Sequence, residues 1–98
     1  MALSANNRGL LEQLIDNAIE IFPKGIGIYR DPKIKSHLQI KEENDYLFGV
    51  MTGYVMGGFS ASFLLTNSRK PTPDELDEAM EILHKRAREF KDSIFSQG

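Results

Sequence analysis

Apolar residues recur at helical spacing near both ends of the chain. Over residues 8–22, Leu11, Leu14, Ile15, Ala18 and Phe22 share one side, and Leu10 and Ile19 widen that stripe. Glu12, Asp16 and Glu20 lie off it. The spacing predicts an amphipathic helix that Pro23 ends, because proline has no amide to donate and disfavours a helical residue before it. Over residues 73–95, Leu76, Met80, Leu83, Ala87, Phe90 and Ile94 step alternately by four and three, a seam of coiled-coil type. Thr72-Pro73-Asp74-Glu75 opens this second helix as a capping box with proline at the first helical position. Asp74, Glu75, Asp77 and Glu78 then sit at the positive end of its dipole, and Lys85, Arg86, Arg88 and Lys91 toward the negative end.

The middle of the chain follows a different pattern. Tyr46 to Leu65 is a run of 20 residues without a charge. Within it Gly49, Gly53, Gly57 and Ala61 recur every four residues. On a helix they form one smooth ridge, widened by Thr52 and Ser60, that lets another backbone approach closely. Phe48, Met51, Tyr54, Val55 and Leu65 are expected on the other side. Four glycines (Gly58 is the fourth) cost a helix about 1 kcal/mol each against alanine, so close packing must offset them. The rival is a β-hairpin turning at Gly57-Gly58, with Phe59 to Phe63 alternating apolar and small side chains. The unbroken four-residue step and the scarcity of β-branched residues favour the helix.

Residues 23–45 read two ways. Pro23 to Gly27 suggests a turn or a short extended piece. Asp31-Pro32 suggests a helix cap with proline behind it, and a short helix over 32–40. The alternation of Ile34, Ser36, Leu38 and Ile40 with Lys35, His37, Gln39 and Lys41 equally suggests a strand. The fold expected is therefore an all-α bundle around a glycine-ridged central helix, in a single domain over 1–98. The alternative is α+β, with an antiparallel sheet from residues 25–66 between the terminal helices.

Composition narrows the chemistry. The chain has 98 residues, 41% hydrophobic and 27% charged, the balance of one small soluble domain. With no cysteine there is no disulfide framework, thiolate zinc site or cysteine nucleophile. The net charge of −2 is spread evenly along the chain. The opening Met-Ala-Leu-Ser-Ala-Asn-Asn-Arg does not read as a signal peptide, and a cytoplasmic protein is expected. The uncharged run is long enough to span a bilayer, but its glycines, hydroxyls and tyrosines fit a buried or interfacial helix better.

Candidate sites are few. Glu81 and His84 have the Glu-x-x-His spacing of di-iron bundles, without the further inward glutamates such a site needs. Gly25-x-Gly27 lacks the third glycine of a nucleotide fingerprint. Ser36, His37 and His84 form no triad spacing. No catalytic residue, metal ligand or cofactor is therefore assigned. Lys24, Arg30, Lys33, Lys35 and Lys41 face one acid, Asp31, across 24–41 and form a candidate anion or nucleic-acid surface. The expectation that goes furthest concerns assembly. A helix apolar all round must be covered all round, and two amphipathic helices cover only part of it. Gly49, Gly53, Gly57 and Ala61 are the expected interface of a twofold homodimer. The expected function is a small non-enzymatic interaction protein.

Overall fold

The computed structural model of the protein describes residues 2–25 and 30–95, and these are helical and without a strand. Among the described residues five helices follow one another: α1 Ala5–Gly25, α2 Pro32–Leu38, α3 Glu43–Asn67, α4 Pro73–Lys85 and α5 Ala87–Phe95. The chain is thus an all-α bundle around a long central helix, and the α+β alternative is excluded for the described residues.

Ser4 stands just before α1, and its hydroxyl accepts from the Asn7 amide at 3.1 Å. Its inward stripe is the one expected. Leu11, Ile15 and Ala18 are fully buried, and Leu14, Ile19 and Phe22 pack against the same core. Pro23 does not end the helix. It lies inside α1, which runs on to Gly25. Proline removes an amide donor and crowds the carbonyl four residues back, yet the last turn from Phe22 to Gly25 keeps its helical form. Gly27, the other glycine of the expected turn, lies outside the described residues.

Helix α2 settles the ambiguity of 32–40. Asp31 is the cap, its carboxylate accepting from the Lys33 amide at 2.8 Å, and Pro32 occupies the first turn. The strand reading fails here because a cap, a proline and a left-handed Gln39 at the far end all fit one short helix. Unlike the other helices, α2 buries no residue and leaves Leu38 half exposed.

Residues 73–95 are two helices rather than the single one expected. The seam breaks at Arg86, whose amide bonds back to the Leu83 carbonyl at 3.1 Å while its side chain turns toward α1. Below the break Ala79 and Leu83 are buried, Leu76 and Met80 half-buried. Beyond it Phe90 is fully buried. The side chain of Ile94, the last position of the seam, lies outside the described residues.

Helices α1, α3, α4 and α5 share one core, and α3 runs through it. Leu47, Met51, Val55, Phe59 and Phe63 are buried, one every four residues. Phe59 stacks at a tilt on Phe63 with centroids 5.7 Å apart, and Phe48 meets Phe90 edge-on at 6.2 Å. At the far end of the bundle, Asn7 and Asn67 exchange amide hydrogen bonds at 3.3 and 3.0 Å. Asn67 also donates to the Phe63 carbonyl at 3.0 Å, so the buried Asn7 is satisfied and the end of α3 is tied to the start of α1.

Candidate interface

Two stripes with the same four-residue step run along α3. The buried one starts at Leu47 and the ridge at Gly49, two residues on. Two residues turn a helix by about 200°, so the stripes lie on opposite sides. The core takes the first. Gly49, Gly53, Gly57 and Ala61 all face outward, and a Cβ built on any of the three glycines would meet nothing within 4 Å. Gly58 differs: it faces α1, and its Cβ would make an ordinary contact with Leu14 at 3.4 Å. Among the described residues none packs closely enough on Gly49, Gly53 or Gly57 to require a glycine there.

The sides expected for the larger residues need correction. Met51 and Val55 are in the core and Phe48 is half-buried, but Tyr54 and Leu65 stand out in solvent. Tyr54 is 45% exposed beside an edge-on Phe22, and Leu65 is 85% exposed. Leu65 stands four residues after Ala61 and so continues the glycine ridge instead of opposing it. Between Tyr46 and Leu65 the outward face of α3 therefore carries no charge and is largely apolar. Among the described residues α3 is the one helix long and apolar enough to cross a membrane, and of its most apolar 18 residues only 28% are buried.

At the C-terminal end of this face, where α3 turns into α4, lies an apolar groove of about 350 Å³. Ser60, Ala61, Leu64, Lys70, Pro71 and Leu76 line it. The turn beside it is rigidly built. Arg69 holds the Glu75 carboxylate with two bonds of 2.7 and 3.1 Å and lies 4.9 Å over the Phe63 ring. Glu75 also accepts from the Thr72 amide at 2.8 Å, completing the capping box. Arg69 and the Thr72 amide hold its carboxyl down at about 2. The Arg69 guanidinium is raised in turn, chiefly by its bond to Glu75.

The basic segment is not one surface. Glu43, in the first turn of α3, takes up two of its cations: Arg30 at 2.6 Å and Lys35 at 3.1 Å. Lys24 ends α1, and Lys33 and Lys41 are exposed on and beyond α2. Only three of the five positive charges are thus offered outward, which weakens a polyanion surface.

A second charged cluster escaped the sequence. Arg86 reaches Asp16 at 2.7 Å, Glu12 at 3.7 Å and Glu89 at 2.6 Å. Its bonds to Glu89 and then to Asp16 raise the Arg86 guanidinium, and Arg86 lowers the Glu89 carboxyl in return. No spacing rule links residue 86 to residues 12 and 16. The signal available was only a cation placed at the expected seam's edge. Glu81 and His84 are both exposed, and among the described residues no three His, Asp or Glu side chains converge as a metal site.

No protein-family model, curated protein or solved structure matches this chain.

Proposed function

We propose that this chain acts as a non-enzymatic homodimer, a small cytoplasmic interaction protein whose two copies meet through the α3 ridge. One observation carries the reading. Gly49, Gly53 and Gly57 stand in the open with no neighbour to require their smallness, yet each costs the helix about 1 kcal/mol against alanine. A second backbone packed on the ridge is what such residues allow. The apolar character of the same face adds to this, because water gains when it is covered. Charge elsewhere favours an aqueous setting over a lipid one. The bundle sides away from the ridge carry Arg86 with Glu12, Asp16 and Glu89, and Arg8 with Glu78 at 3.7 Å.

The test is the molar mass in detergent-free buffer, by light scattering on a sizing column. The expected value is near twice the 11.1 kDa of one chain. Gly53→Leu places four carbons where the partner's backbone should lie. It should shift the protein to monomer while leaving its helical circular dichroism intact, since that position is open within the chain. A monomer at every concentration overturns the reading.

A further inference from the structure

The break between α4 and α5 falls where the sequence holds nothing that breaks a helix. His84-Lys85-Arg86-Ala87-Arg88-Glu89 contains no glycine or proline, and all but the histidine are strong helix formers. The apolar seam keeps step across it. Leu83 and Phe90 are seven residues apart, so one straight helix would point them within about 20° of each other. Both are buried in the broken form as well. A continuous helix over 73–95 therefore suits the same core face, and the break forgoes backbone bonds that such a helix would make.

Those bonds are identifiable. Arg86 stands at φ −102°, ψ 11°, outside the α-helical region. Its amide bonds three residues back to Leu83 at 3.1 Å, and its carbonyl accepts from Glu89, three residues on, at 3.1 Å. The tighter turn on each side leaves Ala87 and Arg88 at the start of α5, where an amide has no acceptor inside its own helix. In a continuous helix these two amides would bond to the Leu83 and His84 carbonyls.

The side chain of Arg86 is only 21% exposed and reaches Asp16 at 2.7 Å and Glu12 at 3.7 Å, two acids four residues apart on α1. Glu89 takes the same guanidinium in two bonds of 2.6 and 3.1 Å, but a pair three residues apart fits a continuous helix equally well. The contacts particular to the broken form are thus those with α1. We infer that the α4–α5 junction is a charge-held switch: while Arg86 is drawn to Asp16 and Glu12 the segment is two helices, and when that draw is removed residues 73–95 close into one. The buried face is kept while α4 turns into line with α5. Leu76 travels with α4, so the groove it lines, about 15 Å along the helix from Arg86, changes shape with a charge contact on α1. The switch belongs to the single chain and does not depend on the dimer.

Amide hydrogen exchange, read residue by residue by NMR on the full chain, tests it. Glu12→Ala combined with Asp16→Ala removes both acceptors on α1 and leaves residues 73–95 untouched. Neither position is buried, and alanine suits the interior of α1. Ala87 and Arg88 should then exchange at least about tenfold more slowly than in the natural chain, and the Cα shift of Arg86 should move to the helical range. Arg86→Gln removes the draw from the other side, and glutamine forms helix about as well as arginine. The same slowing is expected there. Slowing in the α1 variant supports the switch, because nothing in the responding segment has been altered. Unchanged or faster exchange at Ala87 and Arg88 in both variants overturns it. Slowing in Arg86→Gln alone places the cause in residue 86 itself and overturns it too.

Discussion

Glu75 shows how much one side chain can carry. It caps α4, binds Arg69 in two places and is itself buried. These partners favour its charged form and hold its carboxyl at about 2 instead of the ordinary 4.5. In the unfolded chain they are absent. The stability it adds is therefore complete above the unfolded value and is lost as pH falls from about 4.5 toward about 2. Urea unfolding at neutral pH and at about pH 3 should show a marked loss of stability in the natural chain. Glu75→Gln should lower stability at neutral pH and flatten that dependence. Half of this role was legible in sequence. The capping box is a local pattern and was read from Thr72 to Glu75. Arg69 is only six residues from Glu75, but no helical spacing links the two, because pairing across a turn depends on how the turn folds.

At the scale of the helix, capping and spacing decided well and breaks decided badly. The starts of α2 and α4 are where Asp31 and Thr72 predict them. Replacing the cap in Thr72→Ala should cost about 1 kcal/mol, read as a lower urea midpoint with an unchanged slope. What local patterns missed was the end of α1 and the division at Arg86. Pro23 was weighed as a helix stop without regard to how close the helix already was to its end. The seam from Leu76 to Ile94 keeps its period through residue 86, so nothing local marks a break there. The cause is tertiary. Arg86 turns to Asp16 and Glu12 on another helix, and the chain resumes beyond it with Phe90 in the core. The central helix was legible for the opposite reason. Its four-residue step survives any packing, although the step alone did not say which of two stripes would be buried.

At the scale of the molecule, the ridge sets stability against assembly. Because a methyl group at Gly53 or Gly57 meets nothing within the chain, Gly53→Ala and Gly57→Ala should each stabilise the dilute, monomeric protein by about 1 kcal/mol. Urea unfolding at low protein concentration checks this. A loss of stability there would mean the ridge is covered within a single chain. The same fact explains why the candidate interface was readable while the Arg86 cluster and the groove were not. A ridge lies within one helix, and its spacing is written in consecutive residues. The groove needs Ser60 and Leu76 brought together by a turn, and the cluster needs α1 brought against the junction between α4 and α5.

The two stripes of α3 also make the helix sensitive to its own length. They share one period and are offset by two residues, so removing or adding two residues upstream within α3 rotates everything beyond by about 200°. Glycines would then point into the bundle and phenylalanines into water. Substitutions along the outward face are easy for the single chain to absorb, whereas a two-residue change in length would turn the protein inside out beyond that point. The reading frame of this helix, in the geometric sense, is therefore held more tightly than the identity of most residues on its surface.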